Sequence, residues 1–141
     1  MSTPDTSATP LVVLSFKNRL VGIHAHTGQR VWTFEFDING GRGQLRVEAG
    51  RVFFIAKSTM FCLDYGTGAL LWRTVIPNAL GSEPNTLCYA DCIVLMGAGE
   101  AASFAMADGA KLWHDGFSGF GIYGGAMAAP GVASPIDRVH S

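Results

Sequence analysis

The chain has 141 residues, 48% hydrophobic and only 15% charged, with a mean hydropathy of +0.25 and 10 Lys+Arg against 11 Asp+Glu. That balance, without any Lys/Arg cluster, offers no electrostatic footprint for nucleic acid or an anionic membrane surface, and no apolar run approaches the roughly 18 residues a membrane span needs. So greasy a composition on one domain's worth of chain predicts apolar surface buried in an oligomer.

Residues 1–10 are rich in Ser, Thr and Pro and lack the basic start and apolar stretch of a secretory signal, so a mobile arm on a cytoplasmic protein is expected. From residue 11 onward the segments are short, β-branched or aromatic and bounded by turn residues, which is the strand pattern. The first group offers strands at 11–16, 19–24 and 30–36, with turns on Lys17-Asn18 and Thr27-Gly28. A second group adds a strand in front, 44–48, joined through Ala49-Gly50, and a third adds 85–89, joined through Ala90-Asp91. In the earlier of these hairpins Glu48 is expected opposite Arg51. Residues 100–112 (EAASFAMADGAKL) are Ala-rich and alone would pass for a helix. Their alignment with residues 59–71 makes them strand. The Gly-rich run 116–125 (GFSGFGIYGG) is longer than the equivalent links at 37–43 and 77–83.

A heptapeptide organises these elements. His26-Thr27-Gly28-Gln29-Arg30-Val31-Trp32 recurs as Gly66-Thr67-Gly68-Ala69-Leu70-Leu71-Trp72 and as Ala107-Asp108-Gly109-Ala110-Lys111-Leu112-Trp113, which places the chain's three tryptophans 40 and then 41 residues apart. Residues 11–32 lie over 51–72 without a gap, Val12 on Val52, Leu14 on Phe54 and Ile23 on Leu63; a shift of 41 then brings in Ile93, Leu95 and Phe104. A fixed period of this size marks a repeat architecture. The Thr-Gly and Asp-Gly steps have a cause, since a tight hairpin needs a residue with positive φ and glycine takes it without steric cost. Each repeat is therefore expected to be a four-stranded antiparallel meander.

At these residues the chain resembles the PQQ-type (quinoprotein-like) β-propeller repeat, with a signature of roughly A-x-D-x-x-T-G-x-x-x-W, over about residues 11–116. The second unit, Cys62-Leu63-Asp64-Tyr65-Gly66-Thr67-Gly68 through Trp72, matches best; the others replace the Asp with His24 and Ala105 and the leading Ala with Gly22 and Ser103. The resemblance implies an all-β chain of three propeller blades, at 11–36, 44–76 and 85–116, within a unit spanning 11–130 and followed by a tail at 131–141. It also implies that Trp32, Trp72 and Trp113 lock blade to blade by packing on turn glycines, of which the chain has Gly28, Gly68 and Gly109. Three blades are too few to close a ring of about 4–8, whereas two chains give a half propeller each and six blades together. The first blade lacks an inner strand, and shifting 85–89 by 41 lands on 126–130. Ala126, Met127, Ala128 and Ala129 are thus expected to complete the first blade of a partner copy in a two-fold exchange, ended by Pro130. Phe120 and Tyr123 of the Gly-rich run are expected at the same homodimer interface.

Members of this family that are dehydrogenases bind PQQ with a metal ion in a cradle of acidic, Asn and Arg residues. The chain has no adjacent cysteine pair and no identifiable cradle, so no cofactor, metal or catalytic residue is expected. His24 and His26 point to one face of a strand with no third ligand at a matching position; His114 and His140 are single. Cys62, Cys88 and Cys92 are an odd number without metal-ligand spacing and fit free thiols in a reducing compartment. The register puts Cys88 opposite Ile93 and Tyr89 opposite Cys92, on opposite faces, which favours small buried hydrophobes over a disulfide. Asp64, Asp91, Asp108 and Asp115 read as turn and strand-end residues, and Gly119-Phe120-Gly121 lacks the spacing of a phosphate cradle. The function expected is a non-catalytic, cytoplasmic propeller that assembles with itself and binds another protein as a scaffold or structural subunit. The alternative is a small-molecule or carbohydrate-binding propeller using its central channel or inter-blade crevices.

Overall fold

The computed structural model of the chain describes residues 10–37, 43–77, 80, 84–119 and 126–134, and the described residues contain strands and turns but no α-helix. Three sheets follow the repeats. The first holds β1 (Leu11–Ser15), β2 (Arg19–His24) and β3 (Arg30–Glu35) in that order. The second runs β4 (Gln44–Glu48), β5 (Arg51–Ala56), β6 (Thr59–Asp64) and β7 (Leu70–Val75). The third repeats that meander with β8 (Asn85–Tyr89), β9 (Cys92–Gly97), β10 (Glu100–Ala105) and β11 (Lys111–Asp115). Ala-rich β10 is strand, as its alignment requires: its neighbours on both sides hydrogen-bond it into a sheet, which outweighs helix propensity. Glu48 stands opposite Arg51, Cys88 opposite Ile93 and Tyr89 opposite Cys92, the registers the turns dictate.

The chain divides into two compact units, Met1–Arg73 and Thr74–Ser141.

In the first unit the first two sheets share one core. Leu20, Trp32 and Phe36 pack with Val52, Phe54 and Phe61, and all are buried. The Phe36 ring lies 5.1 Å from Phe54 and 5.5 Å from Phe61, and Phe34 meets Phe61 edge-on at 6.2 Å. Such pairs add about 0.5–1.5 kcal/mol each beyond the area they bury. Outside this core Arg73 lies over the Phe61 ring at 4.8 Å and reaches Asp37 at 3.2 Å, an exposed pair worth less than about 1 kcal/mol.

In the second unit Leu87, Ile93, Leu95, Ala102 and Phe104 are buried. Beyond the third sheet, β12 (Met127–Ala129) pairs with β13 (Val132–Ser134) through Pro130-Gly131, and both lie near β8. The sequence reading ends a strand at Pro130 and pairs it with a partner copy. In the structure Pro130 begins a turn, and the strand before it pairs within its own chain. The cause is local: Pro fixes a negative φ and Gly131 supplies φ 86, the combination a type II turn needs. Ala129 stands opposite Val132 as Tyr89 stands opposite Cys92, so the hairpin follows the third repeat by 40 residues. β13 thereby holds the register of a second strand, the place β1 holds in the first repeat.

Candidate functional site

The three repeat turns share one backbone. His24 N–H donates to Gln29 O at 2.8 Å, Asp64 N–H to Ala69 O at 2.8 Å and Ala105 N–H to Ala110 O at 2.9 Å; Gly28, Gly68 and Gly109 donate back to the same three residues' carbonyls. The glycines take φ 77, 76 and 78. Thr27 and Thr67 Oγ1 accept from the N–H two residues on, and Asp108 Oδ1 does the same at 2.9 Å, which explains Asp in place of Thr. Only in the second turn does the signature Asp act, Asp64 Oδ2 accepting from Gly66 N–H, Thr67 N–H and Thr67 Oγ1 at 2.9–3.1 Å. Asp64→Ala should therefore cost about 1 kcal/mol, since the bonds are exposed and the backbone turn persists without them; urea denaturation measures it.

The second turn is also a socket. Trp32, 7% exposed, lies on Gly68 so closely that a Cβ there would run into the indole. Its Nε1 donates to the Tyr65 carbonyl at 2.8 Å. Its own strand pair makes room as well: Trp32 stands opposite Gly22, where a Cβ would sit 2.5 Å from Cε2. Tyr65 ties the sheets further, its hydroxyl donating to Leu11 O at 2.9 Å and accepting from Leu11 N–H at 2.7 Å. Gly22 and Tyr65 are the contributors that sequence reasoning missed. Gly22 was visible as the small residue leading the signature; Tyr65 gave no signal, because its counterparts are Ala25 and Met106.

The remaining expected site residues lie in different settings. Trp72 is 9% exposed, its ring 6.0 Å from Phe53. Gly28 is exposed with nothing within 4 Å of where its Cβ would stand, and Trp113 is 46% exposed. Met127, Ala128 and Ala129 line a cavity of about 450 Å³ together with Trp113 and Val94. Ala126 is exposed. Phe120 and Tyr123 lie outside the described residues, as does His140.

His24 and His26 have rings 5.9 Å apart, and His26 N–H donates to His24 Nδ1 at 3.3 Å. His114 Nε2 lies 2.7 Å from Glu100 Oε1. Among the described residues no three of His, Cys, Asp and Glu gather as metal ligands do. None of the three cysteines is in a disulfide. Burial pushes the Cys62 thiol above its ordinary pKa, outweighing the Arg51 guanidinium 4.0 Å from its sulfur. The neutral thiol is thus the form the fold favours, and the stability it carries below the ordinary thiol range is lost as pH rises through the raised value. A thiol reagent on the native protein should consume half-buried Cys92 quickly and Cys62 and Cys88 only on unfolding, read as one fast equivalent and two slow ones.

The family model described as outer membrane protein assembly factor BamB matches residues 7–121. Among solved structures the chain is similar to BamB from Moraxella catarrhalis, with a TM-score of 0.61 and 22% identity over 74% of this chain and 33% of that one. It is also similar to the quinohemoprotein alcohol dehydrogenase of Comamonas testosteroni (TM-score 0.58, 17% identity, 74% and 19%) and to a europium-containing methanol dehydrogenase (0.56, 15%, 74% and 22%). The chain spans a third or less of the length of each. No curated protein matches it. These likenesses establish the fold. No carboxylate lines either of the two grooves described on the sheets, so neither offers the donor set of a quinone held with a metal ion. No helix among the described residues is long and apolar enough to cross a membrane.

Proposed function

The chain belongs to the PQQ-type β-propeller repeat family, and from that premise we propose that it is a non-catalytic protein-binding scaffold which completes its propeller with a second copy of itself. The observation that carries this reading is the unequal sheets: among the described residues the first has three strands where the second and third have four, which leaves β1 as the edge of the first. An open edge is a template for another chain's strand. The segment Ala126–Ala129 of the other copy is the strand we assign to it, giving six blades in a homodimer. Since β13 already holds the place beside β12 that β1 of the other copy would take, the exchange requires β13 to let go of its three pairs. Short, end-of-chain pairings open at low cost. The similarity to BamB supports protein binding as the role.

Light scattering at micromolar concentration tests the assembly. Twice the 15.0 kDa chain mass is expected, and a stable monomer would overturn it. An absorbance spectrum with a near-ultraviolet band beyond the aromatic residues would overturn the non-catalytic reading. Three cysteines outside any disulfide support a cytoplasmic location, which cell fractionation checks.

A further inference from the structure

The internal contact between the first two sheets shows what their uncovered counterparts are shaped to receive. In the second sheet Val52, Phe54 and Ala56 are 0%, 0% and 2% exposed in one cluster with Leu20, Trp32 and Phe36. Forty residues earlier the same face of the first sheet carries Val12, Leu14 and Phe16 at 45%, 36% and 51% exposure. A groove of about 660 Å³ runs over Leu14, Val21 and Ile23 to Gly28, the glycine whose Cβ position is empty. This is an acceptor face without its tryptophan. The third sheet offers the converse. Trp113 stands 81 residues after Trp32, is 46% exposed, and lines its own cavity with half-buried Cys92 and Val94, the counterparts of Leu11 and Val13.

We infer that the third sheet of one copy seats its Trp113 indole on Gly28 of a second copy, reproducing between chains the contact that Trp32 makes with Gly68 within one. The indole Nε1 then donates to the Ala25 carbonyl, which stands where the Tyr65 carbonyl stands 40 residues later. Charge adds to the fit at the rim: Lys17 and Arg30 border the acceptor groove, while Arg19 is held by Glu35 at 3.0 Å, and exposed Asp115 follows Trp113 by two residues on β11. The contact is head-to-tail, each chain owning one half of it at either end, so two copies related by a two-fold axis make it twice. It rests on the self-assembly reading and adds the residues that hold the copies together, which are not those of the strand exchange.

The test uses the full chain with Trp113→Ala and Leu14→Asp, both at exposed positions that leave the cores untouched. Sedimentation should show each variant associating about 30-fold or more weakly than the parent, the loss typical of a buried indole anchor. Circular dichroism should be unchanged. An equimolar mixture of the two should associate more tightly than either alone, because the Trp113→Ala copy keeps an intact acceptor and the Leu14→Asp copy an intact tryptophan. A parent chain that stays monomeric overturns the self-assembly reading and this inference with it. A parent that dimerises while Trp113→Ala dimerises equally well, or a mixture no tighter than its components, overturns the inference alone.

Discussion

Trp32→Ala is expected to lower the unfolding free energy by about 3–5 kcal/mol, the range for truncating a buried aromatic side chain. The indole is 7% exposed and touches three things at once: Gly22 opposite it, Gly68 beneath it and the Tyr65 carbonyl. Alanine opens a cavity between two sheets that the backbone turn prevents from closing, and strands the carbonyl without its donor. Against a total stability of about 5–15 kcal/mol this is a large fraction, so Trp32→Phe serves as the milder companion, filling much of the space but losing the hydrogen bond. Trp113→Ala is the contrast. With nearly half its surface in water, it should change the unfolding free energy of the dilute chain by less than about 1 kcal/mol. Urea denaturation followed by circular dichroism at sub-micromolar concentration measures all three. Equal losses at Trp32 and Trp113 would show that stacking on a turn glycine does not hold the sheets.

The strands were legible almost to the residue because two independent signals agree along this chain: alternation within a strand, and a period of 40 that lets a clear repeat interpret an ambiguous one. Residues 100–112 show the second signal correcting the first, since Ala-rich β10 becomes strand only through its alignment with β6. The 126–130 segment shows where the method fails. A shift of 41 carried over from the preceding repeats displaced the strand by one residue; Pro130 does end it, but the turn that Pro130 forms with Gly131 and the strand β13 beyond it went unread. The socket was half legible. Tryptophan and turn glycine recur in sequence, but which tryptophan sits on which glycine is a matter of stacking, and Tyr65 is invisible because it occurs in one repeat of three. Exposure was not legible at all: Trp32 and Trp113 occupy the same place in the repeat and differ only in what lies next to them.

Gly68→Ala should cost about 1–3 kcal/mol more than Gly28→Ala, although the two glycines have the same conformation. Their φ values are 76 and 77, so the strain of an L side chain in the left-handed region, about 1–2 kcal/mol, is common to both. What differs is the neighbour. A Cβ on Gly68 runs into the Trp32 indole, whereas one on Gly28 meets nothing within 4 Å; displacing a packed ring in a full core costs about 1–3 kcal/mol. A double-mutant cycle separates the two contributions. In the Trp32→Ala background the excess at Gly68 should vanish, leaving only the backbone strain, and the coupling energy should equal the collision. If Gly68→Ala and Gly28→Ala are equally costly, the indole yields without penalty and the turn glycines are selected for their backbone alone. If the excess appears and disappears with Trp32, the same substitution at Gly28 becomes a probe of association: about 1–2 kcal/mol in the folding of the single chain, and a further loss only when a second copy brings Trp113 to it.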